Sequence, residues 1–212
     1  MEMNNGNGLQ EKAAKVVSVI FYPLLIPLYG LIIIFTAPTV FWYYIPLKAK
    51  LLLFVIFLFD NLLVPMLLMP FFRYRNLISS WTLSGKNERT LPLMTVSLWY
   101  AITSYILFRL EIPVFFKAYA YSLTMVSIIV LASARWMKMS AYSAASAVVV
   151  AMILSLSIRM SVSLPLYLGL SAILSGVIMS SRLRLNAHNP GEVYSGFIAG
   201  FATTCIIMLL LQ

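Results

Sequence analysis

The chain has 212 residues, of which 62% are hydrophobic and 10% are charged. A soluble globular domain cannot cover so much apolar surface with so few charged side chains, so this composition excludes a soluble protein. The net charge of +9 is divided among short loops, which disfavours a nucleic-acid partner and favours contact with anionic membrane lipids or a phosphorylated substrate.

Apolar stretches recur along the chain at the length that a membrane-spanning helix needs. About 17 to 25 residues cross the hydrocarbon core of a bilayer, and each segment there must satisfy its own backbone hydrogen bonds, as a helix does. We therefore predict an all-α fold, a polytopic membrane helix bundle that forms a single transmembrane domain over residues 16–212. The predicted spans are residues 16–36, 51–72, 91–108, 114–134, 141–158, 164–181 and 193–211.

The region before and within the first span is the least regular. Residues 1–15 are polar and rich in Gly and Asn, so we expect a short disordered tail, and they lack the cleavage pattern of a removable signal peptide. Pro23, Pro27 and Gly30 weaken a straight helix in the first span. That span is therefore either complete or a bent, re-entrant segment, and the bundle has six or seven spans.

An acidic residue, Asp60, lies in the middle of the second span with Asn61 beside it. Ionisable residues at that depth are rare and are usually functional. Two interpretations stay open from the sequence. Asp60 belongs to a proton or cation path, which favours a small transporter, or it bonds a neighbouring helix or lies near an interface because Pro65 kinks the segment.

Two groups of small residues predict close helix packing. Gly196 and Gly200 lie four residues apart in the last span, and residues 143–147 read SAASA. Small side chains let helix backbones approach closely in membranes. We therefore expect contact surfaces between helices at both places, and not ligand sites.

Most of the basic residues fall on one side of the predicted bundle. Seven crossings put the N-terminus and the loops after the second, fourth and sixth spans together. That side holds Lys12, Lys15, Arg73, Arg75, Lys86, Arg89, Arg135, Lys138, Arg182 and Arg184. The positive-inside rule alone would place it in the cytoplasm, but several of these cations are also candidates for binding a substrate, so the orientation stays open.

Three basic clusters, residues 85–92, 134–143 and 181–192, adjoin the spans on this side. An excess of cations is self-repulsive unless an anion joins them, and phosphate fits because Arg donates two hydrogen bonds to its oxygens and Lys adds a point charge. For Lys86, Arg89 and Lys138 the alternative explanation is contact with lipid head groups or the positive-inside bias.

The third cluster contains the chain's one histidine in a recognisable spacing. Ser181 and Arg182 are followed after five residues by His188 and after three more by Glu192. This resembles the third motif of the type 2 phosphatidic acid phosphatase superfamily, which reads Ser-Arg, five residues, His, three residues, Asp. Glu stands here in place of Asp.

The other two motifs of that superfamily are matched less closely. Its second motif, Pro-Ser-Gly-His, aligns with Ser140, Ala141 and Tyr142, with Lys138 just upstream. Its first motif, a Lys and an Arg-Pro pair, aligns loosely with Lys86 and Arg89. The resemblance covers about residues 86–200.

The resemblance implies an enzyme, a lipid phosphatase that needs no metal or other cofactor and hydrolyses a phosphate monoester or diphosphate on a lipid. It also implies a bacterial inner-membrane protein whose site faces the periplasm. Carried over to this chain, His188 is the nucleophile that forms a phosphohistidine and Glu192 orients it. Independently of the resemblance, one His and one Cys, Cys205, exclude a zinc site of the ordinary kind and a disulfide within the chain.

The remaining matched residues would bind the phosphate. Lys86, Arg89, Lys138 and Arg182 would neutralise the charge on the phosphoryl oxygens, where most of the rate gain in phosphoryl transfer arises. Ser140, near a predicted helix start, would add its backbone N–H.

Tyr142 departs from the superfamily's pattern, because the second-motif histidine normally protonates the leaving group. A phenol with an unperturbed pKa of about 10 is a weak acid at neutral pH. Either Tyr142 serves as a weak acid, or the substrate has a good leaving group such as a diphosphate, or hydrolysis has been lost. The last outcome predicts a catalytically silent protein that binds phospholipid head groups.

The end of the third cluster also has an explanation without chemistry. Asn189, Pro190 and Glu192 occupy the N-cap, N1 and N3 positions of a well-formed helix start. This accounts for Glu192 but not for His188 or Arg182, and both explanations can hold together.

Overall fold

A computed structural model of the chain describes residues 3–75, 77 and 86–211. The described part is built from helices, which confirms the all-α prediction. In chain order they are α1 Met3–Ile20, α2 Ile26–Thr36, α3 Val40–Tyr44, α4 Leu47–Tyr74, α5 Lys86–Arg109, α6 Val114–Ser133, α7 Ala141–Met160, α8 Pro165–Arg184 and α9 Pro190–Leu210. Within α4 the stretch Phe57–Leu63 is π-helical.

The helices α4 to α9 are each long and apolar enough to cross a membrane, α5 over Arg89–Arg109. They coincide with the second to seventh predicted spans, and they fit the integral membrane protein that the composition predicts. The helix α7 lies at the centre of the bundle, where it packs against α9, α8, α6 and α2.

The first predicted span is broken into two helices. The helix α1 ends at Ile20, and α2 begins only at Ile26. At one end of the bundle Ser18 accepts a hydrogen bond from Arg182 of α8, and at the other end the carbonyl of Thr36 accepts one from Tyr167 of the same helix. The segment therefore runs along α8 as two helices, beside the six long helices of the bundle.

The structure differs from the expected disordered tail over residues 1–15, because the chain is helical from Met3 onward. Strong helix formers follow Gln10, and Lys15 forms an ion pair with Glu11 one turn away at 2.7 Å. Ala14 is buried, and α1 packs against α8. Tertiary packing therefore stabilises a helix that the polar composition did not indicate.

The close packing predicted at the two glycines is confirmed. A Cβ atom at Gly196 would lie 2.7 Å from the carbonyl oxygen of Ser140, and one at Gly200 would overlap the carbonyl of Ala144. The backbone of α9 therefore lies directly against α7. This contact brings the start of α9 beside the start of α7, and so joins the second basic cluster to the third.

The serines of residues 143–147 join α7 to two neighbouring helices, α9 and α8. Ser143 donates a hydrogen bond of 2.6 Å to the carbonyl of Val193 in α9. Ser146 and Ser175 of α8 share a hydrogen bond of 2.7 Å. Both serines of α7 are buried, which confirms that this stretch is a helix contact surface.

Candidate functional site

The second and third basic clusters meet through backbone hydrogen bonds. The N–H of Ser140 donates to the carbonyl of Glu192 at 3.0 Å, and Nδ1 of His188 lies 3.0 Å from the carbonyl oxygen of Lys138. These bonds hold the loop between α6 and α7 against the loop between α8 and α9. Arg89, from the start of α5, lines the same cavity as Lys138 and His188.

The start of α9 is a capping box that also holds the histidine. The side chain of Asn189 accepts from the N–H of Glu192 at 2.9 Å, and Oε2 of Glu192 accepts from the N–H of Asn189 at 3.3 Å. The same Oε2 lies 2.9 Å from Nδ1 of His188. Glu192 therefore has both roles that the sequence left open, and the cap fixes the carboxylate that orients the imidazole.

The contacts of Nδ1 determine the tautomer of His188. The Glu192 carboxylate and the Lys138 carbonyl are both acceptors, so Nδ1 must carry the hydrogen. In the neutral ring Nε2 then carries the lone pair, and among the described residues none hydrogen-bonds it. Because only 5% of the His188 side chain is exposed, the imidazole is largely shielded from bulk water.

The protonation of the site is governed by burial and by the neighbouring cations. Burial lowers the pKa of His188, the bond to Glu192 opposes that shift, and Arg182 and Arg89 lower the pKa further. The imidazole is therefore neutral at pH 7. Burial and Arg89 also lower the pKa of Lys138, so a bound anion would relieve repulsion among the cations.

The site opens into a cavity of about 590 Å³. One end of it is lined by Arg89, Lys138, Arg182 and His188, together with Tyr142. The rest is mostly apolar and lies between the helices, against Leu93, Val96, Leu123, Val126, Val130, Ala144 and Val148. A cationic end continuous with an apolar body matches a ligand with an anionic head and a hydrocarbon chain.

Arg182 is held at the cationic end by two contacts from distant parts of the chain. Its guanidinium lies over the ring of Tyr142, 4.1 Å from the ring centre, and its Nη1 donates to Ser18 at 3.1 Å. Its Nε is buried and has no hydrogen-bond partner within the described ranges. A buried charged donor without an acceptor is costly.

A second cavity of about 440 Å³ adjoins the first and shares Arg89 and Lys138 with it. It is lined by Glu192 and Asn189 and by the highly exposed Trp136. His188 lines the first cavity and Glu192 the second, so the hydrogen-bonded pair lies between an apolar pocket and a pocket next to water.

The structure thus brings together most of the residues that the motifs single out. Those that line one of the two cavities are Arg89, Lys138, Tyr142, Arg182, His188 and Glu192. The side chain of Lys86 lies outside the described part of the structure, although its backbone begins α5. Arg89, three residues later, lies on the first turn of that helix.

Ser140 has a different role from the predicted phosphate contact. Its backbone N–H already donates to Glu192, and its hydroxyl caps α7 by accepting from the N–H of Ser143 at 3.4 Å. The residue is fully buried against Gly196 and lines neither cavity described here. We therefore assign Ser140 to capping α7 and to joining the two loops.

Sequence reasoning missed the residues that the first segment adds to the site. Ser18 bonds Arg182, and the ring of Tyr22 contacts the ring of Tyr142 edge-on, with centres 6.1 Å apart. Neither residue belongs to a motif. The break between α1 and α2 brings them to the site, and the proline pattern in the sequence predicted the bend but not its neighbours.

Asp60 lies in the π-helical stretch of α4 and faces α5. The hydroxyl of Thr103 in α5 is 2.8 Å from Oδ1 of Asn61 and 3.4 Å from Oδ2 of Asp60. All three side chains are buried. This contact matches the interpretation in which Asp60 bonds a neighbouring helix, and Asp60 lines neither of the two cavities.

Comparisons with protein-family models, curated proteins and solved structures found no match to this chain. The function is therefore inferred from the chemistry of the site.

Proposed function

We propose that the protein is a membrane lipid phosphatase that hydrolyses a phosphate monoester or a diphosphate through a phosphohistidine at His188. The observation that carries the proposal is the position of this imidazole. Nδ1 donates to the Glu192 carboxylate and the Lys138 carbonyl, so the lone pair is on Nε2, and His188 lines the cationic end of a mostly apolar cavity. The resemblance to the type 2 phosphatidic acid phosphatase superfamily supports the same chemistry.

The first step transfers the phosphoryl group to the protein. The lone pair of Nε2 forms a bond to phosphorus, and the bond from phosphorus to the leaving oxygen breaks with its electrons on that oxygen. The ring becomes positively charged, and Glu192 stabilises it through the Nδ1–H bond. Arg89, Lys138 and Arg182 offset the negative charge on the phosphoryl oxygens.

The second step releases inorganic phosphate. Water attacks phosphorus, the bond from nitrogen to phosphorus breaks, and the electron pair returns to Nε2 while the protons of the water pass to phosphate and solvent. The second cavity, lined by Glu192 and next to the exposed Trp136, provides the route for this water. The lipid product remains in the apolar cavity until it leaves.

The proposed substrates share an anionic phosphate head and an apolar chain. Phosphatidate-like lipids, polyprenyl diphosphates and phosphorylated lipid A all meet this description. The corresponding location is a bacterial inner membrane with the site facing the periplasm. Protease protection of a tag placed before α1 would test the orientation, because α1 lies on the same side as the site.

The test is phosphate release from a panel of these lipids in detergent. We expect turnover by the wild-type protein, no turnover by His188→Ala, and near wild-type turnover by the control Arg184→Ala, which removes a neighbouring cation that lines neither described cavity. Brief incubation with ³²P-labelled lipid should label the wild-type protein with an acid-labile phosphate, and His188→Ala should stay unlabelled. Equal turnover by wild type and His188→Ala would refute the proposal.

A second candidate function is head-group binding without hydrolysis. It is favoured by Tyr142, which stands where the superfamily has its acid. Binding of phosphatidate that survives His188→Ala, with no phosphate released by the wild type, would identify the protein as such a silent relative.

A further inference from the structure

The ring of Tyr142 has two partners. The guanidinium of Arg182 lies over it, 4.1 Å from the ring centre, and the ring of Tyr22 makes an edge-on contact with it, with the ring centres 6.1 Å apart. Among the described residues none hydrogen-bonds its hydroxyl. A tyrosine that donates a proton needs a neighbour that orients its hydroxyl or replaces the proton. The partners observed here contact the ring and not the hydroxyl.

The ring face is the part of a tyrosine that binds a guanidinium. A cation over an aromatic face is attracted by the quadrupole of the ring, and a planar guanidinium also stacks on it. The histidine of the superfamily would be a worse platform, because a protonated imidazole repels an arginine. The substitution of tyrosine at this position therefore favours a firmly placed Arg182.

We infer that Tyr142 is a positioning residue that holds Arg182 at the phosphate, and that it is not the acid that protonates the leaving group. With Ser18 on Nη1 and the Tyr142 ring under the guanidinium, Arg182 is held in place at the cavity that it lines. The catalytic part of this inference rests on the proposed lipid phosphatase function, and the binding part does not.

Without an acid at Tyr142, the leaving oxygen receives no proton from the protein as its bond breaks. When the phosphorus–oxygen bond breaks, the leaving oxygen departs as an anion and takes its proton from water afterwards. Turnover must then depend strongly on the basicity of that oxygen. A lipid diphosphate, whose leaving group is a phosphate, reacts faster than a lipid monophosphate, whose leaving group is an alkoxide.

Three variants and a control separate the ring from the hydroxyl. Tyr142→Phe keeps the ring and removes the hydroxyl, Tyr142→Leu removes both, and Arg182→Lys keeps the charge but not the planar group. The control is Tyr105→Leu, which removes an exposed ring under Arg109 at 5.7 Å at the opposite end of α5. Short-chain phosphatidate and farnesyl diphosphate in detergent are the two probes, measured for binding and for hydrolysis.

We expect Tyr142→Phe to bind and hydrolyse both probes within about threefold of the wild type. Tyr142→Leu should weaken phosphatidate binding by about tenfold to thirtyfold, the range of a partly desolvated cation–π contact, and should act mainly on KM. Arg182→Lys should weaken phosphatidate binding at least as much as Tyr142→Leu does. The control Tyr105→Leu should change neither phosphatidate binding nor KM.

The opposite result for the phenylalanine variant would overturn the inference. If Tyr142→Phe binds both probes normally but loses most of the wild-type kcat, the hydroxyl is the acid. Failure of the proposed function looks different. A wild-type protein that hydrolyses neither probe, but loses phosphatidate binding in Tyr142→Leu and not in Tyr142→Phe, refutes the phosphatase and retains the role of Tyr142.

Discussion

Replacement of Glu192 by Gln separates its two roles. The carboxylate accepts from Nδ1 of His188 at 2.9 Å and from the N–H of Asn189 at 3.3 Å. Gln keeps the size of the side chain and an acceptor oxygen, so the cap of α9 largely remains. It removes the charge that stabilises the imidazole when Nε2 bonds phosphorus.

The expected loss follows from the type of hydrogen bond. A bond to a charged group contributes about 1.5–3 kcal/mol and a neutral one about 1 kcal/mol, and loss of a carboxylate that orients a metal-binding histidine reduces activity by about 10- to 100-fold. With 15% of the Glu192 side chain exposed, solvent screening is modest. We therefore expect kcat to fall by about 10- to 100-fold.

The assay compares Glu192→Gln with Asn189→Ala. The second variant removes the oxygen that accepts from the N–H of Glu192 at 2.9 Å and leaves the carboxylate, so it should lower stability by about 1 kcal/mol with a small effect on kcat. Phosphate release gives kcat, and tryptophan fluorescence during heating gives the melting temperature. The role of the Glu192 carboxylate in catalysis is refuted if Glu192→Gln keeps kcat within threefold of the wild type. It is also refuted if the loss of activity in this variant only parallels a loss of stability.

Three further predictions test other parts of the structure. Burial lowers the pKa of His188, and the attack needs the neutral ring, so kcat/KM should fall only below about pH 6.5. Glu192→Gln removes an interaction that raises this pKa, so the decrease in kcat/KM should begin at a lower pH in this variant. A decrease that begins at a higher pH than in the wild type would contradict this. Gly200→Ala places a methyl group against the backbone of Ala144 and should lower stability by about 1–3 kcal/mol in thermal unfolding, whereas the control Gly176→Ala, which has open space around it, should not destabilise. Asp60→Asn keeps an acceptor for Thr103 and should leave phosphate release within about threefold; loss of function in Asp60→Asn but not in His188→Ala would favour transport.

Much of the site was accessible from the sequence because its residues lie close to one another along the chain. The helix start at Asn189, the spacing from His188 to Glu192 and the small residues of α7 and α9 are local patterns, and each appears in the structure as predicted. Ser140 shows the limit of such patterns. A helix start near a cation cluster predicts a free N–H, but packing against α9 directs that N–H to the carbonyl of Glu192.

The composition and the length of the apolar stretches determined that this chain forms helices suited to a membrane, because a continuous apolar stretch of about 20 residues satisfies its own backbone in lipid as a helix. The tertiary structure decided which distant side chains share the cavity. Ser18 and Tyr22 reach Arg182 and Tyr142 through the break after α1, and no periodicity encodes that contact. Its physical reason is the packing of α1 on α8 and of α2 on α7, which depends on all four helices at once.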